Sequence, residues 1–427
     1  MKSKESTVNL GKAWLVTLTA ALFFFYEFVQ MIMPSAINVQ LMQSFHLNAA
    51  SLGWLVSMYY IANALFVFHA GYFLDRYSTK KLLLGAIAIC TVGTFVFGYA
   101  QTFTGAAMGR FAVGIGAAFC FLSSMRVASR WFPPRRMALV SGVVVTMAMI
   151  GGFVAQTPMV LLSDWLGWRH AMYVNASFGI LVALAVYFIV QDRPPSVKEH
   201  ETCETHKPHI SIMKAFKLVI LNRNNWLGGV YTSLLNLPVC VFGGLWGVSY
   251  LVQVHHLSKV QASYATSLMF VGVIFGSPAY GWISDHMGKR CTPMIIGGIL
   301  SFFAILALMY LPDLSLTSLM ILFFLIGFLT SSQVLPYPAI AELNPPALTG
   351  TALGLASFLI MSSGYVFLPL FGWLLERSGD KALVDGITVY SAHDYTLAIW
   401  MMPISFIIGL VIAMLMRETN CELQVHE

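Results

Sequence analysis

Apolar runs of some twenty residues follow one another along this chain with little between them, and no water-soluble fold accommodates that pattern. At 1.5 Å per residue, a helix of about 20 residues spans the ~30 Å of hydrocarbon in a bilayer. Twelve such runs are read, at about 13–34, 51–73, 82–100, 104–126, 138–161, 170–190, 225–251, 261–283, 292–311, 316–339, 349–375 and 395–416. Only 10% of the 427 residues are charged, against about 25% in soluble domains. The expectation is an all-α polytopic membrane protein with twelve transmembrane helices, since a helix satisfies its own backbone groups in lipid.

Charge placement sets the expected orientation. With the first segment inside, nineteen of the 24 Lys and Arg residues fall on one side. Four (Arg169, Lys259, Arg377, Lys381) fall on the other, and Arg110 lies within a span. By the positive-inside rule both termini are cytoplasmic, as in a multi-pass protein of the cell inner (plasma) membrane. The net charge of +6 then reflects cytoplasmic loops and calls for no nucleic acid. Lys2, Lys4 and Lys12 lead into a run too long for a signal-peptide core, so no cleavable signal is read. Six cysteines (Cys90, Cys120, Cys203, Cys240, Cys291, Cys421) lack metal-ligand spacing and are expected as free thiols. Composition breaks once, at 191–223, where Ile210 to Ile220 reads as a surface-lying amphipathic helix. The domains expected are therefore 1–190, a linker at 191–223, and 224–427. On the opposite side, 376–394 forms a second extended loop, with Gly379-Asp380-Lys381 and Asp385-Gly386 as turns and no catalytic role expected.

The halves share short motifs. Gly71-Tyr72-Phe73-Leu74-Asp75-Arg76-Tyr77-Ser78-Thr79-Lys80-Lys81 lies between the second and third runs, and Gly281-Trp282-Ile283-Ser284-Asp285-His286-Met287-Gly288-Lys289-Arg290 lies between the eighth and ninth. Phe132-Pro133-Pro134 is matched by Asn344-Pro345-Pro346, and Gly142 by Gly354, at one shared offset of 212 residues. Both loops resemble the G-x-L-x-D-x-x-G-R-K/R signature of the major facilitator superfamily of transporters. Gly71, Asp75, Arg76 and Lys80 keep it, whereas Phe73, Ser78 and Thr79 depart. In the second copy Gly281, Asp285, Gly288, Lys289 and Arg290 keep it. Arg110-x-x-x-Gly114-x-Gly116 resembles a further element of the same family. The resemblance implies two pseudo-symmetric six-helix bundles and a gating role for the paired loops. Asp75 would face the N-terminal end of span eleven, with Arg130 as its ion partner, and Asp285 would face that of span five. The alternative is plain topological anchoring by positive charge.

Ionisable groups inside spans are the candidate site. A guanidinium at membrane depth costs about 2.5–3.5 kcal/mol on the lenient scale, so Arg110 must face a polar cavity or a partner. Glu27, near the middle of the first run, favours its neutral form in low dielectric, and alternating access to water makes it a natural proton carrier. A permanent ion pair is the bland alternative. Tyr26, Gln30, Tyr59, Asn63, Gln156, Asn236, Trp246, Gln333, Tyr337 and Tyr365 are further polar groups inside runs. They are substrate-cavity candidates because, in the resembled family, spans one, four, seven and ten line the central cavity and spans two, five, eight and eleven flank it. Asn236-Leu237-Pro238 with Gly243 and Gly244 marks a bend in the seventh run. His69 reads as an interfacial histidine.

In the fifth run Gly142 and Gly151 fit the pattern of the family's antiporters, but Ala155, Gln156 and Met159 replace its later Gly and Pro residues. Neither a nucleotide-binding loop nor an H-E-x-x-H metal motif is present, so transport would run on a gradient without a cofactor. The function expected is uptake of a small polar organic solute (an amino acid, peptide or organic acid) by proton symport. Export of a siderophore, metabolite or drug is the alternative. A receptor would need larger tails and a membrane enzyme convergent catalytic groups. Nothing read here requires more than a monomer.

Overall fold

Hydrocarbon leaves a backbone no partner but itself, and each apolar run accordingly folds as a helix. The computed structural model describes residues 10–133, 136–194, 212–311, 313–345, 348–377, 382–384 and 387–424. Span one is Leu10–Ile32 continued by Pro34–Phe45; span two is Ala49–Arg76; span three, Thr79–Tyr99. Span four is Phe103–Ala117 with Cys120–Trp131, span five Met137–Val154 with Thr157–Leu166, and span six Trp168–Ile189. Span seven joins Arg223–Leu235 to Val239–Trp246 and Gly247–Val254; spans eight and nine are Lys259–Met287 and Cys291–Tyr310. Span ten joins Leu316–Thr330, Ser331–Val334 and Pro336–Glu342; span eleven is Thr349–Tyr365 with Phe367–Arg377, and span twelve Ala392–Ile399 with Met401–Leu415. Eleven of these are long and apolar enough to cross a membrane, and span seven, bent by 43°, makes the twelfth. Leu10 and Leu415 lie on one face, called the terminal face below; the other is the distal face.

The second half repeats the packing of the first. Span one packs on five and span three on six, as seven packs on eleven and nine on twelve. Gly114 brings span four onto span two, since a Cβ there would lie 2.2 Å from the Tyr59 carbonyl oxygen. An acid placed just after the last span of each half caps a helix inside that half. Asp192 Oδ1 accepts from Lys80 N at 2.7 Å, at the start of span three. Glu418 accepts from Arg290 N at 2.7 Å and Cys291 N at 2.9 Å, at the start of span nine. A carboxylate meets the unpaired N–H groups and positive dipole end of a helix there, worth about 0.3–1 kcal/mol when exposed and up to ~2 when partly buried.

Two features depart from the sequence reading. Span one does not end near residue 34, because Pro34 needs no N–H at the first position of a new helix, and that helix continues to Phe45. The loop between spans eleven and twelve contains a small antiparallel hairpin, β1 (Ala382–Val384) paired with β2 (Ile387–Val389). Its expected turns at Gly379–Lys381 and Asp385–Gly386 lie outside the described residues, as do Cys203 and residues 195–211 of the expected linker. The amphipathic helix is present as Ile212–Leu221.

The hydrogen bonds described between the halves cluster toward the distal face. Asn38 donates to the Leu245 carbonyl (2.8 Å) and to Ser249 Oγ (2.9 Å). Gln156 donates to the Gly243 carbonyl at 2.7 Å and accepts from Thr266 at 3.0 Å. Thr157 meets Ser263 at 3.0 Å, and Lys259 pairs with Asp164 at 2.6 Å. The distal ends of the halves are thus drawn together.

Candidate functional site

Breaks in the central helices build this site. Proline lacks an N–H, so Pro34 cannot bond the carbonyl of Gln30 four residues before it. Arg110 Nη1 donates to that carbonyl at 2.7 Å. The guanidinium lies over the Tyr59 ring at 5.1 Å and the Phe97 ring at 5.9 Å. Arg110 is wholly buried, yet its Nε and Nη2 have no partner among the described residues. Those two nitrogens form one edge of the planar fork, the edge with which Arg290 grips Glu342 elsewhere in this molecule. One arm of Arg110 is therefore structural and one edge is available to a ligand.

Glu27 shares the pocket. It is buried, its Oε2 has no partner among the described residues, and the Cys120 thiol and the Arg110 charge act on its carboxyl. Both polar atoms of the Gln30 amide and the Tyr59 hydroxyl are likewise buried without hydrogen-bond partners among the described residues. So many unpaired groups in one place are costly unless something polar enters to meet them. Tyr60, which the sequence reading passed over, packs span two against the second half. It couples electrostatically to both Arg110 and Glu27, and its ring is so close to Gly364 of span eleven that a Cβ there would lie 2.1 Å from it. Adjacency to Tyr59 was its only signal.

The other candidates divide. Asn63 is buried on span two, one turn beyond Tyr59, and Gln333 of span ten has a buried, unpaired Oε1. Tyr26 turns its hydroxyl toward Thr94 of span three, at 3.5 Å. Gln156 is consumed by the bonds between halves described above. Asn236 donates to Ser363 Oγ at 3.0 Å within the second half. Trp246 is 1% exposed and stacked on Phe371 at 5.9 Å, within the distal closure. Tyr337 packs in a separate cluster with Ile340 and Leu359, and Tyr365 lies against Phe358 beside the break in span eleven.

At the terminal face the two motif loops are fastened differently. In the first, Lys80 Nζ donates to the Tyr187 carbonyl at 2.6 Å and Arg76 lies 4.2 Å from the Tyr72 ring. Arg130 donates to Thr79 Oγ1 at 3.2 Å. The Asp75 carboxylate lies outside the described residues, and with it the expected pair with Arg130. A Cβ at Gly71 or Gly281 would meet open space. In the second loop, Gly288 takes a positive φ of 61° to end span eight, and Lys289 follows it into the turn. Arg290 then bridges Asp285 (2.7 Å) and Glu342 (2.7 Å), so Asp285 is engaged in its own half. Burial opposes the Arg290 charge, but its bonds to Glu342 and Asp285 more than offset this and hold it above its ordinary value. Glu342 was missed, although it stands 212 residues after Arg130, the offset already seen between the halves.

A family model described as Major Facilitator Superfamily matches residues 18–369 and 241–420. The gentisate transporter of Corynebacterium glutamicum is 24% identical, over 86% of this chain and 82% of that protein. The probable sulfoacetate transporter SauU of Cupriavidus necator is 24% identical, over 85% and 87%. Among solved structures, a bacterial homologue of the human lysosomal transporter Spinster, in an inward-facing and unoccupied conformation, superposes with a TM-score of 0.74. It is 17% identical and covers 95% of this chain and 96% of that one.

Proposed function

The chain belongs to the major facilitator superfamily of transporters, and on that premise we propose that it takes up a small organic anion across the cell inner membrane together with a proton. The observation that carries this reading is the buried Nε/Nη2 edge of Arg110, without a partner among the described residues, together with a buried Glu27 oxygen in the same condition. A carboxylate fits that edge with two parallel charge-assisted hydrogen bonds, which a neutral solute does not make. Gentisate and sulfoacetate, for which the two relatives are named, are organic acids of this kind.

Coupling follows from electrostatics. With the anion on Arg110 and Glu27 ionised, two negative charges would share one guanidinium in low dielectric. A proton on Glu27 removes that repulsion, so anion and proton load together. The same argument favours their joint release. On the Lys and Arg bias we take the terminal face as cytoplasmic; the distal ends drawn together then make this the conformation closed to the exterior. Alternation exchanges the distal contacts for their terminal-face counterparts.

The test is uptake of a panel of small carboxylates, sulfonates, amino acids and neutral sugars into proteoliposomes, with and without an acidic exterior. Organic anions should compete with one another and accumulate only with the gradient. Preference for a neutral or cationic solute would overturn the substrate class.

A further inference from the structure

The loop between spans eleven and twelve is not spent by the site above, yet its residues reach into the other half. Glu376, in the last turn of span eleven, places Oε1 3.0 Å from the backbone N of Ala49, the first residue of span two. The Tyr390 hydroxyl, beyond the hairpin, donates to that carboxylate and lies 3.2 Å from the same N. Gln253 of span seven braces the group, its Oε1 accepting from Tyr390 N (3.1 Å) and the Tyr395 hydroxyl (3.2 Å). Beneath it, spans two and eleven touch backbone to backbone. A Cβ at Gly372 would lie 2.4 Å from the Ala49 carbonyl oxygen, and one at Gly53 2.6 Å from that of Leu368.

We propose that Glu376, held by Tyr390, is the latch of the distal gate: its carboxylate fastens onto the N-terminus of span two and sets the fraction of molecules closed on that face. A carboxylate at a first-turn N–H gains both a charge-assisted hydrogen bond and the helix dipole. When spans two and eleven part, both groups return to water. The contact therefore exists in one state and not in the other, which is the condition for shifting an equilibrium. Glu376 is a positioning residue and touches no substrate. The proposal rests on the alternating-access reading but on no particular substrate.

The donor and acceptor can be removed separately. Glu376→Gln keeps the shape and loses the charge. Ala49→Pro deletes the N–H at the first helical position, after an Asn48 already extended (φ −86°, ψ 173°), where proline suits the backbone. Distances between spin labels at Trp165→Cys and His393→Cys, exposed distal positions on opposite halves, report gate opening by pulsed EPR. Each variant should lower the closed-to-open ratio by about ten-fold, as loss of one charged hydrogen bond implies. The double variant should add nothing further, because either change alone breaks the same contact. Unchanged distance distributions in folded single variants, or fully additive effects, would overturn the latch. The readout needs no substrate, so it stands apart from any failure of the anion reading.

Discussion

Arg110 spends one arm on the Gln30 carbonyl and keeps its Nε/Nη2 edge without a partner among the described residues, and that division yields a sharp substitution test. Lysine keeps the charge but offers a point donor, so it cannot both hold the Gln30 carbonyl and present a two-nitrogen edge. Arg110→Lys is expected to cut anion uptake at least about ten-fold while leaving the amount of folded protein unchanged, since a charged bidentate contact is worth ~1.5–3 kcal/mol. Uptake kinetics beside size-exclusion profiles would check this. Full uptake in Arg110→Lys would leave the residue with its structural arm alone. Glu27 and Arg110 stood out in the sequence because charge inside an apolar run is rare. The free edge did not, because it depends on which carbonyl Pro34 leaves unbonded.

Helix breaks and caps decide the next scale. Restoring an N–H with Pro34→Ala gives Gln30 a backbone donor that competes with Arg110. Anion affinity should fall several-fold through loss of guanidinium orientation, read as a raised KM with little change in maximal rate. An unchanged KM would show that the break in span one does not position Arg110. At the terminal face, burial opposes ionisation of Glu418, but backbone N–H groups of Arg290, Cys291, Asn420 and Thr419 outweigh it and hold its carboxyl below the usual range. A depressed carboxyl stabilises the fold above its unfolded pKa, and that contribution is lost as pH falls through the folded value. Glu418→Gln should therefore lower the thermal midpoint by a few degrees at neutral pH, and the gap from wild type should close on acidification. A gap independent of pH would contradict the capping role. The twelve spans were legible because apolar length is a local property. Asn38, Asp192, Glu342, Glu376 and Glu418 were not, since each partner lies on an element that only the assembled bundles bring near. Pro34 misled for a related reason: it ends one helix and begins the next, and the polar residues interspersed after it (Ser35, Asn38, Gln40, Gln43, Ser44) concealed a span that continues.

For the whole molecule, the distal ties and the buried Arg110 and Glu27 stand as one station of the proposed cycle of anion and proton uptake. Glu27→Gln fixes the neutral form, in which the anion is tolerated and no proton can be left behind. The most direct measurement is a pair on that variant in proteoliposomes: exchange of labelled for unlabelled anion without a gradient, and net accumulation with an acidic exterior. Exchange should persist near the wild-type rate while proton-driven accumulation disappears. Accumulation that survives in Glu27→Gln would contradict the account.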